Sequence, residues 1–137
     1  ALSDAKKVIL NLMYTQNVVG DKFYELLKPY DLSSEQYNVL RILNGSHPNA
    51  MCIRDITSRM IDRSSNASRI VDKLEEKELA IRIRSCEDRR ESIVNLTEKG
   101  IFLVKEISER IEKQDQMLTA LTEEEAKIIN DILDRIH

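Results

Sequence analysis

The chain has no tryptophan, three glycines, two prolines, two cysteines and two histidines in 137 residues. Three isolated glycines build no phosphate-cradling loop, which removes the common nucleotide-binding motifs. No nucleophile stands beside a base in a recognisable pattern, so nothing supports an enzyme. Cys52 and Cys86 are too few for a disulfide framework and match no metal spacing. His47 and His137 lack a ligand partner at helical spacing, so neither a metal nor a cofactor is expected. A run of roughly 18 apolar residues, which a membrane helix needs, does not occur. Asn11, Gln16 and Asn17 interrupt the N-terminal segment before it becomes a signal sequence. A cytoplasmic protein with no membrane partner is the expectation.

What is present is charge. One third of the residues are charged, which suits long, solvated helices around one small domain. The net charge of −3 is unevenly placed. Residues 54–90 carry ten Lys/Arg and eight Asp/Glu, whereas residues 91–137 carry six and eleven. Screening confines an exposed charge to about 8 Å at physiological salt, so the local balance governs contact with a polyanion. The acidic total therefore does not exclude nucleic acid.

From Asp4 to about Lys28, Val8, Leu12, Val19, Phe23, Leu26 and Leu27 recur at helical spacing, and Pro29 marks the end. Ser33-Ser34-Glu35-Gln36 is a capping box that opens a second helix, with Tyr37, Leu40, Ile42 and Leu43 inward and a stop at Asn44-Gly45. Ile53, Ile56 and Met60 define a short helix, and Ala67, Ile70, Val71 and Leu74 define the inner face of a longer one. Ile81-Arg82-Ile83-Arg84 then alternates with period two, the mark of a half-buried strand. Val94 and Leu96 continue that period, so the two segments form a hairpin whose tip carries Asp88, Arg89 and Arg90. Thr97 caps another long helix through Phe102, Leu103, Ile107 and Ile111. Thr122-Glu123-Glu124-Glu125 is a second capping box, ahead of Ile128, Ile129, Ile132, Leu133 and Ile136. Short helix, turn, longer helix and basic hairpin make a winged helix-turn-helix.

The stretch Asp88-x-Arg90, a strand, and Leu96-Thr97-x-x-Gly100 resembles the wing signature of the multiple-antibiotic-resistance regulator (MarR) family. The order of elements along nearly the whole chain is similar to that family too. The resemblance implies a mainly α fold with a small β-hairpin wing: a winged helix-turn-helix flanked by N- and C-terminal dimerisation helices. The corresponding boundaries are 1–30 for the N-terminal dimerisation helix, 31–96 for the DNA-binding domain and 97–137 for the C-terminal dimerisation helices. It further implies a dimeric regulator of transcription that releases its DNA when a small phenolic or other anion binds, or on thiol oxidation or metal binding. The family's sensor cysteine lies in the N-terminal helices, where this chain has none. Cys86 stands near Arg84, whose cation would lower the thiol pKa, yet it and Cys52 are expected to be inert. The family's Lys-Gly-Leu turn after the longer helix reads Lys77-Glu78-Leu79 here, which puts a side chain where positive φ is favoured.

Along the longer helix, small polar residues and arginines come first, and Asp72, Glu75 and Glu76 follow. Carboxylates repel phosphates, so the N-terminal half is the part that enters a groove. Arg63 and Arg69 are assigned to guanine edges or phosphates, and Asn66 to an adenine edge or phosphate. Ser64, Ser65 and Ser68 are phosphate or adaptable contacts. In the wing, Arg84, Asp88, Arg89 and Arg90 complete the surface, with Asp72 expected to pair with Arg90. The partners are double-stranded DNA with a pseudo-palindromic operator, a second copy of the chain to cover the apolar stripes of the long helices, and a small-molecule effector. Met13, Tyr14, Phe23, Tyr24 and Tyr37 line either an effector crevice or the dimer core. The alternative is a winged-helix module that holds a basic protein with its acidic C-terminal arm. Arginines at 63, 69, 89 and 90 argue against it, because a protein module has no need of base on both helix and wing.

Overall fold

The computed structural model describes residues 1–84, 92–114 and 120–137. Helix α1 spans Asp4–Leu27 and is followed by a 3-10 turn, Lys28–Tyr30, with Pro29 at its start. Asp31, at φ 54°, reverses the chain. The expected capping box then forms: Ser33 Oγ accepts from the Gln36 amide at 3.1 Å, and Gln36 Oε1 accepts from the Ser33 amide at 3.2 Å. Helix α2 runs over Ser34–Ser46, two turns of which bury Tyr37, Val39, Leu40 and Leu43. It passes through Gly45 instead of stopping there, because Ser46 Oγ donates to Leu43 O at 3.1 Å and holds one more residue in register. Helix α2 is the centre of the domain and packs on α1 and on the elements that follow.

Those elements are strand β1 (Met51–Cys52), helix α3 (Ile53–Arg59), helix α4 (Ala67–Glu76), strands β2 (Ala80–Arg84) and β3 (Ser92–Leu96), and helix α5 (Glu98–Lys113). The strands are antiparallel in the order β1-β3-β2, with Met51 opposite Val94 and Arg82 also opposite Val94. Strand β1 is an addition to the expected hairpin. Two residues carry too little pattern to announce a strand, and β1 exists only because β3 lies beside it.

The period-two reading of β2 holds, but its faces are inverted. Ile81 and Ile83 are each 49% exposed. The inner face holds Ala80 opposite Leu96 and Arg82 opposite Val94, with Ala80, Leu96 and Val94 buried. An arginine is tolerated inward because a helix with polar partners lies against it, as described below.

Helix α4 ends in a Schellman motif: the Leu79 amide donates to Leu74 O and the Glu78 amide to Glu75 O, both at 2.9 Å. Glu78 occupies the left-handed position at φ 62°, where the family pattern has glycine. Helix α5 begins on this turn. The Thr97 amide donates to Leu79 O at 3.1 Å, Thr97 Oγ1 donates to Glu78 O at 2.7 Å, and the same hydroxyl accepts from the Gly100 amide at 3.0 Å. Gly100 lies so close to the turn that a Cβ there would stand 2.1 Å from Leu79 O.

Residues Ala1–Ile107 form one compact unit and Ser108–His137 another. In the first, Val8, Ile9, Leu12 and Met13 of α1 are exposed. In the second, the Thr122–Glu125 capping box forms, with bonds of 3.2 and 3.1 Å, and opens helix α6 over Glu123–Asp134. Ile128, Ile129, Ile132 and Ile136 of that segment are exposed.

Candidate nucleic-acid interface

The loop between α3 and α4 is built by local hydrogen bonds, and its one cation, Arg63, is exposed. The Ile61 amide donates to Asn38 Oδ1 of α2 at 3.0 Å, which tethers the loop to the core. Asp62 Oδ1 accepts from the Ser64 hydroxyl at 2.6 Å and the Ser64 amide at 3.0 Å. These bonds, the hydroxyl's first, hold the Asp62 carboxyl below its usual range. Asn66 is the N-cap of α4, and its Oδ1 accepts from the Arg69 amide at 3.1 Å. The helix therefore starts at Ala67, so Arg63, Ser64 and Ser65 sit in the loop ahead of it. Bidentate recognition of adenine needs both the oxygen and the nitrogen of an asparagine amide. With one bond to Oδ1 already made in the cap, the oxygen's direction is fixed by α4, and only Nδ2 is wholly free among the described residues.

Helix α4 presents three faces. Ala67, Val71 and Leu74 are buried, with Ile70 half-buried beside them. Arg69, Lys73 and Glu76 are exposed, and Lys73 Nζ lies 3.5 Å from Glu76. Ser68, Asp72 and Glu75, at i, i+4 and i+7, turn toward β2. There Arg82 Nη2 donates to Asp72 Oδ1 at 2.7 Å and to Ser68 O at 2.8 Å, while Nη1 donates to Ser68 Oγ at 3.2 Å. The Arg82 amide, on the strand edge away from β3, donates to Glu75 Oε2 at 2.9 Å. Arg82 Nε is enclosed with no acceptor among the described residues.

Two expectations change here. Asp72 is held by Arg82 of the strand, whereas Arg90, its expected partner, lies outside the described residues. Ser68 is turned to the wing, with its hydroxyl and carbonyl engaged by Arg82. Arg63, Ser64, Asn66 and Arg69 are exposed and Ser65 is half-exposed, and Ser65, Asn66 and Arg69 line one cleft, whereas Ser68 faces the strand. Arg84 ends β2 opposite Ser92. Asp88, Arg89, Arg90 and Cys86 fall outside the described residues. Cys52 is a half-buried free thiol opposite Ile93.

A cleft of about 360 Å³ opens between the start of α2 and the outer face of α4, with Gln36, Asn66, Arg69 and Lys73 in its lining. A second, of about 300 Å³, lies between Tyr24 and Lys28, Gln36 and Lys77. Of the five residues considered for an effector crevice, Tyr24 lines it, Met13 and Tyr14 are exposed, Phe23 is half-buried and Tyr37 is buried. Lys77, not singled out by the sequence, bonds Asp31 O and Gln36 Oε1 and so ties the end of α4 to the start of α2. The stripe Ser68-Asp72-Glu75 was the available signal for Arg82: a polar, acidic helix face needs a basic partner.

A MarR family model matches residues 32–92. The HTH-type transcriptional regulator MhqR of Bacillus subtilis is 30% identical over 131 residues, which cover 95% of this chain and 89% of that protein. Among solved structures, a MarR-like transcription regulator from Bacillus cereus superposes with a TM-score of 0.83 at 20% identity, covering 96% of this chain and 94% of the other. The transcriptional repressor CouR, solved on a 23-mer DNA duplex, gives a TM-score of 0.80 at 26% identity, covering 92% and 89%.

Proposed function

The chain belongs to the MarR family of transcription regulators, and from that premise we propose that it is a homodimeric repressor that grips a pseudo-palindromic operator and lets go when a small molecule binds. The observation that carries this reading is the division of charge on α4. Arg63 and Arg69 stand exposed with no acidic partner among the described residues, while Asp72 is neutralised by Arg82 on another face. The outward surface at the N-terminal half of the helix is therefore basic in a chain that is acidic overall. Helix dipole and exposed guanidinium groups both favour phosphate at that end. Arg63, Ser64, Ser65, Asn66 and Arg69 are proposed as the reading set, Ser68 as an indirect member, and Arg84, Asp88, Arg89 and Arg90 as the wing's contribution. CouR, whose structure holds a DNA duplex, supports DNA as the partner.

Residues 31–96 would read the DNA, and 1–30 and 97–137 would form the dimer. Exposed isoleucines, leucine and valine on α1 and α6 support a second copy of the chain as their cover. Two readers on one dimer engage half-sites about 34 Å apart, one helical turn. An effector that alters their separation breaks simultaneous engagement, and most of the affinity goes with it. The regulator BpsR of Bordetella bronchiseptica, whose DNA binding is controlled by 6-hydroxynicotinic acid, supports a small-molecule release.

Fluorescence anisotropy with DNA from upstream of the protein's own coding region, across salt and against a scrambled duplex, tests the reading. Preferential binding whose log K falls steeply with log salt supports it. Equal, weak binding to both duplexes refutes autoregulation. Weak binding to every genomic fragment refutes the DNA reading and turns attention to a protein partner.

A further inference from the structure

The inverted alternation of β2 has a functional consequence. Arg82 is a cation of the wing strand that faces inward, and every bond its guanidinium makes goes to a single face of α4. Its backbone amide adds a further tie through Glu75. A guanidinium fork on a planar, pre-organised frame fixes direction as well as distance, which a flexible ammonium cannot do. Strand β2 is an edge of the described sheet, so no further described strand lies along its outer side at Arg82.

We propose that Arg82 is a positioning residue: clasped by Ser68 and Asp72, it fixes the angle between the wing and the recognition helix, and with it the register in which the two enter neighbouring grooves. The proposal rests on the DNA reading above. Asp72 then serves DNA binding although it carries the wrong charge for it. Simple electrostatics gives the opposite result, since deleting a carboxylate beside a phosphate backbone strengthens binding. The two accounts differ in sign for one substitution.

The experiment compares wild type, Asp72→Ala, Arg82→Met and the double variant on operator DNA across salt, with hydroxyl-radical footprints. Asp72→Ala is expected to weaken operator binding about tenfold, with the salt slope unchanged. Protection by the wing at the outer edges of each half-site is lost, and protection by α4 at its centre is kept. Arg82→Met is expected to match it, and the double variant to be no worse than either alone, because both remove the same clasp. A contact residue such as Arg63 behaves differently: Arg63→Ala lowers the salt slope by about one.

Tighter binding by Asp72→Ala overturns the proposal, as does a slope reduced by Arg82→Met or additive effects in the double variant. Loss of stability alone would thin both halves of the footprint together, which also overturns it. Hydrogen exchange in the free protein separates this from failure of the DNA reading. Arg82→Met should speed exchange at residue 82 and its β2 neighbours whether or not an operator is found, and unchanged exchange there refutes the clasp.

Discussion

Replacing Gly100 with alanine opposes two effects of known sign. Gly100 is the third residue of α5, a helix interior where alanine is favoured over glycine by about 1 kcal/mol. By local propensity the substitution stabilises. The tertiary contact says otherwise, because the new Cβ would stand 2.1 Å from Leu79 O and 3.3 Å from a Leu96 methyl. Ordinary contact begins near 3.4 Å, so α5 and the Glu78–Leu79 turn must separate by about 1.3 Å. That carbonyl accepts from the Thr97 amide and its neighbour Glu78 O accepts from Thr97 Oγ1, so separation strains both bonds. Overpacking costs about 1–3 kcal/mol. Each weakened hydrogen bond adds about 0.5–1.5 kcal/mol. After the propensity gain, Gly100→Ala should destabilise by about 1–5 kcal/mol. Urea unfolding followed by circular dichroism, at matched protein concentration because a dimer's stability depends on it, reads the difference. A neutral or stabilised variant would mean that the turn yields freely, and the close approach would lose its meaning as a constraint.

The neighbouring residue moves the other way. Glu78→Gly relieves a left-handed side-chain strain of about 1–2 kcal/mol and gives back part of it to unfolded-state entropy, so a net gain of about 0.5–1 kcal/mol is expected in the same assay. Glu78→Ala keeps the Cβ and should show no such gain; an equal gain would trace the effect to charge. The Asp62 carboxyl should titrate below its ordinary 3.8 by carbon-detected NMR, and Ser64→Ala should move the midpoint upward. With its folded value depressed, Asp62 contributes to stability above the unfolded value and loses that contribution as pH falls through the folded one. An unmoved midpoint in Ser64→Ala would remove the hydroxyl as the cause. Ile132→Asp is expected to shift the chain from dimer toward monomer in sedimentation velocity at micromolar concentration. A dimer of undiminished stability would place the interface elsewhere.

The helices and their starts were legible because their causes are local. Ser33 and Gln36, Thr122 and Glu125, and Thr97 with Gly100 each close a bond across three residues, a distance the sequence states directly. The left-handed position after α4 was suggested only by the family's Lys-Gly-Leu pattern, and the structure puts Glu78 there at φ 62°. The site was legible in part. Arg69 could be placed outward from the helical period alone, whereas Arg63 lies in the loop before the helix, where that period has no hold. Asn66 could not be known to cap α4, because Ser64, Ser65 and Asn66 are all competent caps and only the start of the helix chooses among them.

Long-range choices lay beyond the pattern. A period of two is symmetric, so Ile81-Arg82-Ile83-Arg84 fits a sheet with either set inward. The polar face Ser68-Asp72-Glu75 decided it, and that decision needs α4 and β2 side by side. Strand β1 required β3 more than forty residues away, with Met51 opposite Val94. The chain alone determined which segments are helix, which form the two strands of the hairpin, and where basic charge gathers, because those follow from neighbours a few residues apart. Tertiary structure alone decided which arginine holds Asp72, which face of the wing strand is buried, and why Gly100 admits no side chain, because each depends on two elements meeting in space.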